Sequence, residues 1–227
     1  MNITEQYYHD NSQEFFESTI NADTTPLYDH FLKYVPEKGY ILDLGCGSGR
    51  DTKAFLNRGY RVDAIDGSKE LCALASEYTG IEVKCMDFFE IDANEKYDAI
   101  WACASLLHVE HDRLPGLIEK LRGAVKANGV FYMSFKSGDF VGERDGRFFM
   151  DMTSEKFHKI FCQLKGWTLV EEWESEDVRR GKNVEWYNVI IRNDYYGSKD
   201  DIERCFYALT VFADYANMLA SAVDVTK

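Results

Sequence analysis

A glycine-rich turn that directly follows a short apolar run constrains the fold of this chain more than any other feature. The run at residues 40–44 leads into Gly45, Gly47 and Gly49, and an amphipathic segment begins at Arg50. Glycine is required where the backbone takes a positive φ or approaches a ligand closely, and the helix N-terminus beyond it offers unpaired N–H groups. This order of strand, turn and helix predicts a site for a nucleotide-like cofactor at the edge of an open α/β sheet.

Strand-like and helix-like segments alternate after this turn. The alternation implies βαβ units, and the right-handed crossover rule makes the sheet doubly wound. The predicted fold class is therefore α/β, with a doubly wound, mostly parallel, seven-stranded Rossmann-like sheet. No helix is predicted between the last two strands, so an antiparallel strand is expected at one edge. The predicted strands cover residues 40–44, 61–65, 81–85, 97–101, 130–135, 167–173 and 184–192.

The predicted sheet is flanked by a segment at each end of the chain. Residues 1–39 contain two short helical patterns and are expected to form an N-terminal helical cover over the site, whereas residues 40–192 form the α/β domain. Residues 193–227 are predicted to be a C-terminal helical appendage with an apolar stripe. That stripe either packs on its own domain or forms a dimer contact, so a homodimer through this helix is one expectation.

Composition narrows the location and the partners. The chain has 227 residues and a net charge of −13, so it lacks the basic footprint of a duplex-binding protein, and nucleic acid is a disfavoured partner. Its six cysteines form no C-x-x-C pair, so no metal site is expected, and their apolar surroundings are typical of a reducing compartment. The first residues lack the pattern of a signal peptide, and the longest apolar run is too short to span a bilayer. A cytoplasmic protein without membrane contact is predicted.

Polar and aromatic side chains follow the predicted strands at the points where ligands bind in such sheets. Asp66 comes after the second strand and suits the hydroxyls of a ribose. Asp87 and Phe88 come after the third strand and suit the amino group and the ring face of an adenine. Cys103 and His108 come after the fourth strand. Together these strand ends supply the groups that hold an adenosine.

Each of these residues also has a structural interpretation. Asp66 could cap a helix, and Asp87 could do so in a turn. Phe88 could belong to the core, and a lone histidine in an apolar segment, such as His108, is more often structural. Arg50, in the first turn of the helix after the glycines, either holds a carboxylate or is a solvated surface charge.

The spacing of the glycines argues against a dinucleotide. The fingerprint G-x-G-x-x-G places its third glycine at the position of Arg50, whereas here the third glycine comes early, at Gly49. The chain also lacks the P-loop sequence G-x-x-x-x-G-K-[ST]. The motif Asp43-Leu-Gly-Cys-Gly-Ser-Gly49 instead resembles the first motif of class I S-adenosylmethionine-dependent methyltransferases.

Further segments extend this resemblance over residues 30–192. Asp66 matches the ribose-binding acid of the family, Asp87 matches the adenine-contacting acid, and residues 100–108 look like its fourth motif. Residues 126–132 look like the usual lead into the fifth strand, although Ala-Asn-Gly stands where Pro-Gly-Gly is commoner. The chain is similar to the small bacterial enzymes called tellurite-resistance-like or ubiquinone-biosynthesis-like methyltransferases, whose names describe a fold and a cofactor and leave the acceptor open.

The resemblance implies S-adenosyl-L-methionine as the cofactor and methyl transfer as the reaction. His108 is the candidate catalytic base, because the ordinary pKa of histidine lies near neutral pH. The predicted function is transfer of a methyl group to an unidentified small-molecule acceptor. The residues expected to bind the cofactor are Tyr8, Asp43, Gly45, Cys46, Gly47, Arg50, Asp66, Gly67, Ser68, Met86, Asp87, Phe88, Ala102, Cys103 and Leu107.

Residues 136–151 are predicted to be a loop on the acceptor side. The segment holds Lys136, Arg144 and Arg147 between glycines, which indicates a mobile lid whose cations would suit an anionic acceptor. A solvated loop is the alternative.

Other functions are also consistent with these motifs. One is a methyltransferase that acts on RNA or protein. The acidic composition and the lack of an added RNA-binding module weigh against RNA. Another is a catalytically silent protein that keeps the fold and the cofactor pocket. A dehydrogenase fits least, because the glycine spacing differs from that of a dinucleotide site.

Overall fold

The structure of the protein is a computed structural model that describes residues 2–179 and 184–194. Its helices are α1 (Ile3–Asp10), α2 (Ser12–Thr19), α3 (Thr25–Phe31), α4 (Arg50–Asn57), α5 (Lys69–Thr79), α6 (Leu114–Arg122) and α7 (Ser154–Phe161). Its strands are β1 (Tyr40–Leu44), β2 (Arg61–Asp66), β3 (Val83–Cys85), β4 (Tyr97–Ala102), β5 (Val125–Lys136), β6 (Val141–Arg144), β7 (Arg147–Met150), β8 (Trp167–Glu176) and β9 (Glu185–Asn193). None of these helices is long and apolar enough to cross a membrane. The predicted appendage and its dimer contact lie outside the described residues, apart from positions 193 and 194.

Seven strands form one sheet in the order β3–β2–β1–β4–β5–β9–β8. The first five of these strands are parallel to one another. The chain adds β2 and β3 on one side of β1 and then adds β4 and β5 on its other side. This topology confirms the doubly wound, mostly parallel sheet, and it puts the switch point between β1 and β4, where ligands bind in such folds.

The antiparallel geometry expected at one edge is also confirmed. β9 pairs antiparallel with β5 on one side and with β8 on the other, so β8 is the edge strand and β9 lies next to it. The connection between β8 and β9 is too short for the crossover that a parallel pair requires. β5 is longer than predicted, because it begins before the turn at Asn128, where φ is 63°, and its pairing with β4 shifts register there.

Both faces of the sheet are buried. Along β5, Phe131 and Met133 pack with Leu117 of α6 in one apolar cluster, whereas Val130 and Tyr132 pack in a second cluster. Because side chains alternate along a strand, this division puts one cluster on each face. Dense packing on both sides fixes the strand ends, and therefore the residues that follow them.

Residues 1–39 contribute three short helices, where two helical patterns were expected. α1 is attached at two points: His9 contacts Glu70 of α5 at 2.9 Å, and the Thr4 hydroxyl accepts a hydrogen bond from the Phe148 N–H of β7 at 3.0 Å. α1 therefore bridges the helix that follows β2 and the hairpin that follows β5.

That hairpin corrects the loop prediction for residues 136–151. β6 and β7 pair antiparallel, and Asp145 and Gly146 form the two-residue turn between Arg144 and Arg147, with φ values of 50° and 73°. Aspartate followed by glycine is a preferred pair for a turn with two positive φ values. The loop prediction is wrong over β6 and β7 because this Asp-Gly pair is a hairpin signal and not general loop composition.

Candidate active site

A cavity of about 770 Å³ opens at the carboxyl ends of the parallel strands. Its volume falls within the range of small-molecule sites. The turn after β1, the segments after β2, β3 and β4, and the end of β5 all contribute to its lining, and α1, α2 and the β6–β7 hairpin enclose it from the other side.

The glycine turn forms one wall of the cavity and leaves its backbone bare. Gly45 has φ of 78°, and a Cβ atom built there would lie 2.5 Å from the Cβ of Ser105. At Gly47 a Cβ atom would lie 3.0 Å from a ring carbon of Phe15 on α2. An added Cβ atom would therefore clash at Gly45 and crowd Phe15 at Gly47, so these positions favour a bare backbone that a ligand in the cavity would meet.

Asp66, at the end of β2, is held by backbone N–H groups. Its two carboxylate oxygens accept hydrogen bonds from Gly47 N and Ser68 N, both at 2.9 Å. Ser68, and not Asp66, caps α5 by accepting from Leu71 N. Burial raises the pKa of Asp66 above its ordinary value. Each oxygen keeps a lone pair for a further donor, so the carboxylate suits ligand hydroxyls.

Asp87 and Phe88 follow β3, and the capping alternative for Asp87 is found in the structure. The Asp87 carboxylate accepts from Phe89 N at 2.7 Å, and the Glu90 carboxylate accepts from Asp87 N at 2.8 Å. Asp87 therefore caps a short 3-10 helix. The same residue is exposed and lines the cavity, beside Phe88 and Met86. A carboxylate next to an apolar wall suits the edge and the face of a base.

Arg50 lies at the start of α4 and is paired with its neighbour Asp51. Arg50 Nε and Nη2 donate to the two Asp51 oxygens at 2.7 and 3.0 Å, and Tyr28 Oη and Trp101 Nε1 donate to the same carboxylate at 2.6 and 2.8 Å. Burial opposes ionisation of Asp51, but Arg50 and these hydrogen bonds hold its pKa below the ordinary value. The Arg50 side chain is 20% exposed, so it is not a solvated surface charge. The prediction missed Asp51, whose signal was an acid in the first turn of the helix after the glycines.

His108 follows β4 and forms a chain of hydrogen bonds across the cavity. The Phe148 carbonyl can only accept, so His108 Nδ1 donates to it at 2.6 Å, and Nε2 accepts from the Tyr8 hydroxyl at 3.0 Å. Arg147 Nη1 donates to the same hydroxyl at 3.4 Å. Burial and the nearby cations Arg147 and Lys136 lower the pKa of His108 to about 4, although the Phe148 bond opposes this shift. The imidazole is therefore neutral at neutral pH and a weaker base than its ordinary pKa predicts.

Most of the residues predicted for the site are brought together. Of the predicted residues, Asp43 and Ala102 do not line the cavity. Asp43 is 2% exposed and accepts from Thr52 Oγ1 at 2.5 Å, and burial together with the repulsion of Asp51 raises its pKa to about 8. Ala102 is fully buried in the core. The residues that do line it are Tyr8, Gly45, Cys46, Gly47, Arg50, Asp66, Gly67, Ser68, Met86, Asp87, Phe88, Cys103, Leu107 and His108.

Comparison with known proteins agrees with this geometry. The family model of a methyltransferase domain matches residues 41–129. An uncharacterized methyltransferase of Staphylococcus carnosus is 25% identical over 50% of this chain and 59% of its own length. A malonyl-[acyl-carrier protein] O-methyltransferase of Acetivibrio thermocellus is 33% identical over 41% of this chain and 34% of its own length. The chain therefore spans only part of the curated relatives that it matches.

A solved structure extends the likeness over most of the chain. The 1,6-didemethyltoxoflavin-N1-methyltransferase of Burkholderia thailandensis, with bound 1,6-didemethyltoxoflavin and S-adenosylhomocysteine, gives a TM-score of 0.66 at 20% identity. The match covers 84% of this chain and 85% of that chain. At this level of identity the likeness shows the fold.

Proposed function

We propose that this chain, which contains a class I S-adenosylmethionine-dependent methyltransferase domain, transfers a methyl group from S-adenosylmethionine to a small-molecule acceptor. One observation carries the proposal. A single cavity of about 770 Å³ joins the bare glycine turn, the Asp66 carboxylate and the Asp87–Phe88 pair with the Tyr8–His108 pair. The first three suit a cofactor with an adenosine, and the Tyr8–His108 pair suits proton transfer from an acceptor bound beside that cofactor.

The residues present fit S-adenosylmethionine. Asp66 would accept hydrogen bonds from the ribose hydroxyls, and Asp87 would accept from the adenine amino group while Phe88 packs against the ring. Arg50, at the start of α4, presents a cation that would pair with the carboxylate of the methionine part. The bare backbone of the glycine turn leaves room for that part to pass.

The protein's main task is to position two molecules and exclude water. When bound, the sulfonium supplies a methyl group that is already activated for in-line displacement. Enclosure of the cavity by α1, α2 and the hairpin would exclude water from the reacting groups. The net charge of −13 weighs against RNA as the acceptor, and a cavity of about 770 Å³ suits a small molecule.

Tyr8 and His108 would remove the proton that a neutral acceptor loses. The Tyr8 oxygen would take the proton from the acceptor while the Tyr8 hydroxyl proton passes to His108 Nε2, which already accepts from it at 3.0 Å. The bond from His108 Nδ1 to the Phe148 carbonyl fixes the tautomer that this transfer requires. An acceptor that binds in its ionised form needs no such step.

Calorimetry and a transfer assay test the proposal together. The protein is titrated with S-adenosylmethionine and with S-adenosylhomocysteine, and labelled-methyl transfer is then measured against fractionated host metabolites. We expect both ligands to bind and label to enter a low-mass fraction. Absence of binding by either ligand would contradict the cofactor, and label only in protein or RNA would contradict the acceptor class. Binding without transfer to any fraction would favour the catalytically silent alternative.

A further inference from the structure

Two half-buried cations, Lys136 and Arg147, line the part of the cavity beside Tyr8 and His108 and have no carboxylate partner among the described residues. Lys136 is the last residue of β5 and Arg147 is the first residue of β7. Both contact the ring of Phe149: Lys136 Nζ lies 4.1 Å and Arg147 Cζ lies 5.0 Å from its centroid. Within residues 2–179 and 184–194, neither cation forms an ion pair.

A third cation at the same ring is neutralised. Arg144 Cζ lies 4.6 Å from the Phe149 centroid, and its guanidinium donates to both oxygens of Asp151 at 2.9 and 2.6 Å. Three positive charges therefore lie around one buried ring, and among the described residues only Arg144 of the three forms an ion pair. Repulsion between like charges in a half-buried site is unfavourable, and a bound anion would relieve it.

The charge excess is a local feature of a strongly acidic chain. The sequence holds 39 Asp and Glu residues against 26 Lys and Arg residues, so carboxylates are plentiful. Other half-buried arginines that line this cavity take one, as Arg50 does with Asp51 and Arg179 does with Asp177. The lack of ion pairs at Lys136 and Arg147 among the described residues is therefore a property of this site and not of the composition.

Arg147 keeps unused donors beside the Tyr8–His108 pair. Its Nη1 donates to Tyr8 Oη at 3.4 Å, its Cζ lies 4.1 Å from the Tyr7 ring centroid, and its buried Nε has no partner among the described residues. Burial and the nearby Arg144 lower the pKa of Lys136, which is the direction that an unneutralised cation cluster produces. A guanidinium with open donors beside an ammonium matches the oxygens of a carboxylate or a phosphate.

We infer that Lys136 and Arg147 bind an anionic oxygen group of the methyl acceptor, either a carboxylate or a phosphate. This inference rests on the proposed function and adds the chemical class of its substrate. The anionic group would lie at the end of β5, on the other side of β1 from the end of β2 that carries Asp66. It would hold the acceptor beside Tyr8, with Arg147 contacting both.

Fractionation by charge tests the inference. Host metabolites are separated by anion exchange at neutral pH, and each fraction is offered to the protein with labelled S-adenosylmethionine. We expect label only in retained fractions. Phosphatase treatment before the assay removes acceptor activity if the group is a phosphate and leaves it if the group is a carboxylate. Label in the unretained fraction alone would overturn the inference and leave the proposed function standing.

Two variants locate the anionic group. Lys136→Met and Arg147→Met should each raise KM for the retained acceptor fraction about 10-fold or more, with the Kd of S-adenosylhomocysteine unchanged. Arg147→Lys should recover part of the loss, because it restores the charge. Lys159→Met is the matched control, since Lys159 is 70% exposed and pairs with Glu155 outside the cavity, and its KM should equal that of the wild type.

The outcomes separate the inference from the proposed function. A 10-fold weaker binding of S-adenosylhomocysteine in the Lys136 and Arg147 variants would assign these cations to the methionine carboxylate and overturn the inference. Unchanged KM and unchanged cofactor binding would overturn it as well. Cofactor binding without label in any fraction would instead remove the proposed function, on which the inference rests.

Discussion

In the proposed function the cavity has a cofactor side, with Asp66 and Asp87, and an acceptor side, with Tyr8, His108, Lys136 and Arg147. The two sides hold their functional groups by different means. On the cofactor side, the Asp66 carboxylate is held by the backbone N–H groups of Gly47 and Ser68, both from segments that directly follow parallel strands. On the acceptor side, the Tyr8 hydroxyl bonds to both His108 and Arg147. These partners lie 100 and 139 residues away from Tyr8 in the sequence. The first side depends on local backbone geometry, whereas the second exists only after the N-terminal helix and the hairpin have docked.

The two sides also differ in charge. Asp66 and Asp87 give the cofactor side carboxylates, which can accept from hydroxyl and amino groups, while Lys136 and Arg147 give the acceptor side cations that form no ion pair among the described residues. Such a division suits two ligands of different polarity that must lie in a fixed order. Variants on each side should therefore have separable effects on cofactor binding and on turnover.

The largest effect is expected where the cofactor side depends on bare backbone. Gly45→Ala adds a Cβ atom 2.5 Å from the Cβ of Ser105, in addition to the strain of a positive φ. Gly59→Ala is the matched control, because its φ is 85° and its Cβ would meet no atom within 4 Å. We expect Gly59→Ala to lower the free energy of unfolding by about 1–2 kcal/mol from strain alone. Gly45→Ala should lower the free energy of unfolding by about 1–3 kcal/mol more, because of the overlap with Ser105.

Urea unfolding and calorimetry with S-adenosylhomocysteine measure both effects of these glycine variants. Gly45→Ala should also lose cofactor affinity, and Gly59→Ala should keep it. If the two variants lost equal stability, the close approach of the turn to Ser105 would be wrong.

The acceptor side should respond in turnover and not in cofactor binding. His108→Asn removes the imidazole that accepts from Tyr8, and Tyr8→Phe removes the hydroxyl. Each should lower turnover about 100-fold, and the double variant should be little worse, because the two groups act as one unit. His158→Asn, an exposed histidine that contacts Glu172 at 3.1 Å, is the control and should be fully active.

Single-turnover transfer rates and the Kd of S-adenosylhomocysteine separate the two roles of His108. Unchanged transfer rates in His108→Asn would mean that the acceptor binds already ionised and that the histidine is structural. A weaker Kd in the same variant would move His108 to the cofactor side.

The contrast between the sides also explains what the sequence could predict. The glycine turn and Asp66 are specified within a few residues of a strand end, so local pattern was sufficient to find them. Asp43 also follows the family pattern, but the pleat of β1 turns its side chain into the core, toward Thr52. A motif identifies a position in the chain and does not by itself say which face of the strand its side chain takes.

The acceptor side could be predicted only in part. Cations between residues 136 and 151 were visible, but the hairpin that orients them follows from the Asp145–Gly146 turn, and the pairing of Arg144 with Asp151 follows from that hairpin. The contact between Tyr8 and His108 joins segments that no local pattern relates. Long-range docking of this kind leaves no periodic signal in the sequence.

A smaller effect is expected at Asp66. Asp66→Asn keeps the size of the side chain but removes the charge that would accept from two hydroxyls, so the binding free energy of S-adenosylhomocysteine should weaken by about 1–2 kcal/mol. Asp63→Asn is the control on the same strand. Asp63 bonds to Tyr40, Lys96 and Tyr97 and does not line the cavity, so cofactor binding should be unchanged. Calorimetry that gave equal Kd values for the two variants would remove Asp66 from the cofactor site.

The smallest effect is a difference in how the two sides respond to pH. The pKa of His108 falls from 6.5 to about 4 in the folded protein, because burial disfavours the imidazolium. The unfolded chain therefore takes up this proton first as the pH falls, and stability should be lost between about pH 6.5 and pH 4, by on the order of 1 kcal/mol for this partly buried group. Burial raises the pKa of Asp66, so its contribution has the opposite sign and is lost as the pH rises above its ordinary value.

Urea unfolding as a function of pH measures this difference directly. Subtracting the curve of His108→Asn from that of the wild type should leave a free energy that rises with pH between about 4 and 6.5. The same subtraction for Asp66→Asn should leave a free energy that falls with rising pH. Opposite slopes require that one group releases protons on folding and the other takes them up. Two difference curves with slopes of the same sign would therefore mean that the two sides are not electrostatically distinct in the folded protein.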